Sequence, residues 1–194
     1  MSRLIIANWK SNKTLAETQV WLKDFLATAQ ISFEQRVVLA PPYPFLSTIA
    51  AQTRETDNFS LATQDLSPFP AGSYTGAVST RNLEDLGVEY AILGHSERRR
   101  YFDETHQDVA KKVDLALQAG IKPIICLDVA YLAAQAAALS QEQLAKCLVA
   151  YEPLSAIGSG DNTDPDKVAE VAVRIKEVFG QVPVFRIFCG LLAR

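Results

Sequence analysis

The feature that most constrains this chain is an alternation of short, β-branched apolar runs with amphipathic stretches carrying helix punctuation. The runs fall at residues 4–9, 37–40, 59–63, 90–93, 121–127, 148–151 and 182–188. Several are apolar at successive rather than alternate positions, the mark of strands covered on both faces. The stretches between them read as helices. Thr14-Leu15-Ala16-Glu17 is a capping box, in which the threonine and glutamate side chains satisfy each other's backbone N–H groups. Asp164-Pro165 sets a capping side chain before a proline at the first helical position. Val168, Val171, Ala172, Ile175, Val178 and Phe179 then follow the helical period. The helix carrying Val109, Val113 and Ala116 should stop at Gly120, in a left-handed C-terminal position. Alternation of this kind implies a parallel sheet with right-handed crossovers. A doubly wound open sheet and a (β/α) barrel both remain open at this point.

A chain of 194 residues is read as one domain with ample apolar material for a core. Its net charge of −3 argues against a nucleic-acid or anionic-membrane partner, either of which calls for a basic face. The 19 lysines and arginines still allow a local cationic pocket for a small anion. Cys126, Cys147 and Cys189 stand far apart without metal-ligand spacing, and the first two lie in apolar runs as small buried hydrophobes. Met-Ser-Arg enters a strand at once, with no signal peptide, and no apolar run approaches the roughly 18 residues of a spanning helix. A cytoplasmic protein is expected.

Active groups of parallel α/β folds sit at the C-terminal ends of strands, so the polar residues that end each run carry the argument. The first strand ends Ala7-Asn8-Trp9-Lys10, and alternate residues of a strand share a face, so Asn8 and Lys10 can reach one pocket. The fourth runs into Gly94-His95-Ser96-Glu97-Arg98-Arg99. Gly94 allows close backbone approach before the imidazole. The chain has two histidines, and His106, at a polar helical start, is expected to be solvated. The sixth ends Tyr151-Glu152-Pro153, and a carboxylate ending an apolar strand is costly to bury without a partner or a task. Ala156-Ile157-Gly158-Ser159-Gly160 follows, a small loop that can move as a lid or offer N–H groups to a phosphate.

Taken in this order, these segments resemble the triosephosphate isomerase family over roughly residues 3–179. Ala40-Pro41-Pro42-Tyr43 after the second strand and Gly72-Ser73-Tyr74-Thr75-Gly76 in the third loop add to the resemblance. It implies an α/β fold, a TIM (β/α) barrel truncated after strand seven. Residues 1–194 would form a single barrel domain, incomplete relative to the family. It implies interconversion of dihydroxyacetone phosphate and D-glyceraldehyde 3-phosphate through an enediolate, a step of glycolysis and gluconeogenesis. Glu152 would be the base, His95 the neutral electrophile and Lys10 the positive charge on the substrate. Asn8 would orient the site, and Glu97 would support Lys10 and Ser96. Asn8, Lys10, Ser96 and Gly158 would hold substrate. No cofactor and no metal are implied. Thr75 would contact a second copy near Lys10, making a homodimer or larger assembly. The alternative is a catalytically weak or inactive relative serving as a binding or assembly module.

The chain departs from the family pattern in three places. The lid hinges, Pro-Val-Trp and Thr-Gly-Lys in the family, read Pro153-Leu154-Ser155 and Ser159-Gly160-Asp161. The family's Cys-Ile-Gly-Glu after strand five is Cys126-Leu127-Asp128-Val129. The Tyr-Gly-Gly-Ser after strand seven and the Gly-Gly after strand eight, which cradle phosphate, have no match here. Each charge-assisted hydrogen bond missing from such a seat costs about 1–3 kcal/mol, so turnover below the family's is expected. Without an eighth strand, the first and seventh would also present unpaired N–H and C=O groups unless covered.

Overall fold

The computed structural model describes residues 3–151, 165–180, 184–185 and 187–189. Six parallel strands form the body of one curled sheet: β1 (Arg3–Asn8), β2 (Gln35–Ala40), β3 (Phe59–Thr63), β4 (Val88–Leu93), β5 (Lys122–Leu127) and β6 (Leu148–Tyr151). Each lies beside the next in chain order. The helices are α1 (Leu15–Thr28), α2 (Tyr43–Thr53), α3 (Ser96–Tyr101), α4 (His106–Gln118), α5 (Leu132–Ala137), α6 (Gln141–Lys146) and α7 (Pro165–Phe179). Two 3-10 turns, Thr80–Leu86 and Val129–Tyr131, complete the connections. This is an α/β arrangement of parallel strands curled in the manner of a partial TIM barrel.

The seventh apolar run behaves differently from a single edge strand. Its first part, β7 (Val184–Phe185), pairs with β6, and its second, β8 (Ile187–Cys189), pairs in parallel with β1. Ile6, Ala7 and Asn8 stand opposite Ile187, Phe188 and Cys189. One residue separates the two pieces in sequence, so the two ends of the sheet are supplied by one stretch of chain. The open edge expected on β1 is therefore covered at its C-terminal half by this chain's own backbone, which satisfies the N–H and C=O groups there.

Successive residues along each strand fall into two separate cores. Ile6, Val38, Ala40, Ala62, Tyr90, Ile92, Ile124, Cys126, Leu148 and Ala150 form one buried cluster. Ala7, Leu39, Ala91, Leu93, Ile125, Leu127 and Val149 belong to the other, against the helices. Burial on both faces explains why the runs are continuously apolar.

The punctuation marks work as the residues suggest. Thr14 caps α1 in a reciprocal box with Glu17. Gly120, at φ 73°, ends α4 in a Schellman motif, with Ile121 N–H on Ala116 O and Gly120 N–H on Leu117 O. On α7, Val171, Ile175 and Phe179 are buried, but Val178 is exposed, a correction to its placement on the apolar face. The capping role given to Asp164 lies outside the described residues.

Candidate active site

The end of β1 is a turn built around an unusual backbone conformation. Trp9 points into the helix-side core, fully buried and edge-on to Trp21 with ring centroids 4.9 Å apart. Lys10 then takes φ 54°, in the left-handed region that residues with a Cβ rarely enter. Two contacts hold it there. Its N–H donates to Asn8 Oδ1 at 2.9 Å, and its carbonyl accepts from Gln64 Nε2 at 2.9 Å. Gln64 also donates to Ala40 O at 2.8 Å, tying the turn to the end of β2. Asn8 and Lys10 are thus brought together, but not by strand alternation. The strand stops at Asn8, and the Asn8 side chain aims Lys10 by bonding its backbone.

At the end of β4, Gly94 at φ 69° turns the chain, and His95 becomes the N-cap of α3. His95 is buried, and its Nδ1 accepts the backbone N–H of Glu97 at 3.2 Å. An accepting Nδ1 carries no proton, so the neutral ring bears its hydrogen on Nε2. The Glu97 carboxylate, 3.6 Å from Nδ1, is beyond hydrogen-bond reach of it. It turns instead to Lys10, whose ammonium donates to Glu97 Oε1 at 2.8 Å. Glu97 therefore joins the two strand ends, holding the imidazole through its backbone and the ammonium through its side chain. A fixed cation and a ring N–H donor, joined through Glu97, suit stabilisation of negative charge developing on oxygen.

The triosephosphate isomerase family model matches residues 3–190. The triosephosphate isomerase of Symbiobacterium thermophilum is 36% identical over 95% of this chain and 79% of its own. That of Fusobacterium nucleatum is 37% identical over 94% and 78%, and that of Mesomycoplasma hyorhinis 36% over 90% and 77%. The chain belongs to the triosephosphate isomerase family. Within this triosephosphate isomerase family member, Ser96 opens α3 and is half-buried, while Thr75 stands exposed on the third loop. That loop is braced by Phe69 and Tyr74, stacked 4.5 Å apart. Glu152 and Gly158 lie outside the described residues. Among the described residues, no helix is long and apolar enough to cross a membrane.

Beside the site lies a buried group of charges. Lys112 donates to Asp65 Oδ1 at 2.7 Å and to Glu104 Oε1, and Arg98 reaches Asp65 Oδ2 at 2.9 Å and Glu104 Oε1 at 3.1 Å. Burial pushes the Asp65 carboxyl above the ordinary aspartate range, against the opposing pull of Lys112. The carbonyl of Asp65 accepts the Tyr43 hydroxyl. Through Arg98 this network anchors α3, and so the histidine turn before it.

Gln64 and Arg99 were not singled out in sequence, although one signal was available for each. Gln64 is the polar residue that follows the apolar β3, the same sign that drew attention to Asn8 and His95. Arg99 lies one helical turn after His95, and its Nε donates to Gly94 O at 2.8 Å. His106 needs correction as well: it is not a solvated residue but half-buried against Arg99 and Gln135. Cys126 and Cys147 are buried as expected, and burial lifts the Cys147 thiol to about 12.

Proposed function

We propose that this chain interconverts dihydroxyacetone phosphate and D-glyceraldehyde 3-phosphate, as one barrel domain working in the cytoplasm as a homodimer. The observation that carries this reading is the junction of Lys10, Glu97 and His95 at the ends of β1 and β4. Glu152, the residue after the last position of β6, would take a proton from one carbon of the substrate and return it to its neighbour. Between the two transfers, negative charge on the enediolate oxygens would be met by His95 Nε2–H and the Lys10 ammonium. Asn8 keeps Lys10 aimed at that point. Gly158 would meet the phosphate, Ser96 would help hold the substrate, and Thr75 would reach the site of a second copy. The altered residues at 153–155 and 159–161 support turnover below the family's. An idle binding module is the less supported reading, since the cationic and imidazole parts of the site remain joined.

A coupled isomerase assay on the purified protein tests the activity, with Glu152→Gln as the control tying it to this site. Turnover that vanishes in the variant supports the proposal. A wild-type protein with no detectable turnover overturns it, and a rate equal to that of a full-length relative refutes only the weakening. A monomeric mass at micromolar concentration would remove the homodimer.

A further inference from the structure

Gln135 is a fully buried amide on α5, in the short connection between β5 and β6. Its Oε1 accepts from Arg99 Nη2 at 2.8 Å. Arg99 Nη1 lies 3.0 Å from His106 Nδ1, and a guanidinium can only donate, so Nδ1 is the acceptor. The 3.1 Å between His106 Nδ1 and Gln135 Oε1 is then a pair of acceptors spanned by one guanidinium. Gln135 Nε2 closes the circuit on His106 O at 3.3 Å. The third edge of the guanidinium, Nε, holds Gly94 O at 2.8 Å.

Gly94 is gripped as well as bonded. A Cβ there would stand 2.5 Å from Arg99 Nη2 and 3.2 Å from Cζ. The guanidinium therefore packs closely against the Gly94 peptide that delivers His95. Tyr131 covers the cation from another side, with Cζ 5.3 Å from its ring centroid. Burial holds the Arg99 guanidinium below the ordinary arginine range, so its donors need firm acceptors around them. The family's Cys-Ile-Gly-Glu ends in a glutamate where this chain has Val129. The acceptor here comes instead from Gln135, six residues farther on.

We infer that Gln135 is a positioning residue for His95, acting through the Arg99 guanidinium that clamps the Gly94 peptide. The inference rests on the proposed role of His95 as the group that meets the substrate oxygens. Removing the Gln135 oxygen leaves an N–H of the half-buried guanidinium without its acceptor. Arg99 then shifts toward another oxygen, and the grip on Gly94 loosens.

The test compares the 194-residue protein with its Gln135→Met and Gln135→Glu variants. Methionine keeps the length and removes the acceptor, whereas glutamate keeps an acceptor for Arg99. Gln135→Met is expected to lower kcat about tenfold with KM changed less than about twofold, since misplaced catalytic groups cost rate before binding. Gln135→Glu is expected to recover most of the loss. In parallel, the ¹⁵N ring signals of His95, assigned with a His95→Gln variant, should move in Gln135→Met and return in Gln135→Glu. A general loss of packing would not be repaired by a buried carboxylate. Wild-type kcat and unmoved His95 signals in Gln135→Met would overturn the inference, as would equal impairment of both variants. Should Gln135→Met fail to fold, Gln135→Asn withdraws the oxygen by one methylene and is read in the same way. The ring signals need no turnover, so an inactive wild type would sink the proposed function while the coupling of Gln135 to His95 is still decided.

Discussion

Asn8 Oδ1 accepts the backbone N–H of Lys10 at 2.9 Å, while Lys10 sits at φ 54°. The asparagine thus stabilises the left-handed turn that presents the ammonium to Glu97 and to the space beside His95. Replacing it by alanine, which cannot accept, should cost about 1 kcal/mol. A melting temperature roughly 3 °C lower is expected for a chain of this size, together with a larger loss of isomerase rate than of stability. Calorimetry and the coupled assay on Asn8→Ala check both.

Gly94 and Gly120 share a left-handed backbone but not their surroundings. A Cβ on Gly94 would press on Arg99 and on Val109 Cγ2, 3.1 Å away, whereas one on Gly120 would meet nothing within 4 Å. Gly120→Ala should cost only the conformational strain, about 1 kcal/mol. Gly94→Ala adds a steric clash and should cost about 2–4 kcal/mol. Urea unfolding of the two variants side by side measures the difference.

Lys112 is the buried cation between Asp65 and Glu104, and Glu104 Oε2 has no hydrogen-bond partner among the described residues. Lys112→Met removes the buried charge and leaves Arg98 as the cation shared by the two carboxylates, at a cost of about 3–5 kcal/mol. The sign with pH follows from Asp65, which burial holds above its unfolded value. In that window the native state binds more protons than the unfolded one, so stability falls as pH rises. Without Lys112 the carboxyl moves higher still. The deficit of Lys112→Met should therefore grow from acid toward neutral pH, as denaturant titrations at several pH values would record.

Glu17 titrates in the opposite sense. The Thr14 backbone N–H, donating to Oε2 at 2.7 Å, and then the Thr14 hydroxyl hold its carboxyl below the ordinary glutamate range. Its contribution is present above that range and is lost as pH falls through the lowered value. Glu17→Gln should flatten this part of the stability–pH curve and leave isomerase activity alone.

The alternation of buried strands and capped helices was legible because both faces of each strand are covered, which leaves continuous apolar runs for the eye. The ends of β1 and β4 were legible for a related reason. A polar residue closing such a run is costly to bury, so Asn8 and His95 stand out. What stayed hidden depends on packing between distant segments. Lys10 was read as sharing a strand face with Asn8, whereas a side-chain bond to the backbone aims it. His106 was read as solvated because its sequence neighbours are polar, and its partners come from α3 and α5. The division of the seventh run between the two ends of the sheet depends on curvature, to which local composition is blind.

The pairing of Asn8 with Cys189 joins positions about 180 residues apart. Ribosomes add about 5–20 residues per second, so β1 is made many seconds before its second neighbour exists. Until then one flank of the strand that leads into the Asn8–Lys10 turn has no mate. The candidate site at the end of β1 is therefore among the last parts of this molecule to be assembled, and a nascent chain should expose β1 to chaperones throughout that wait.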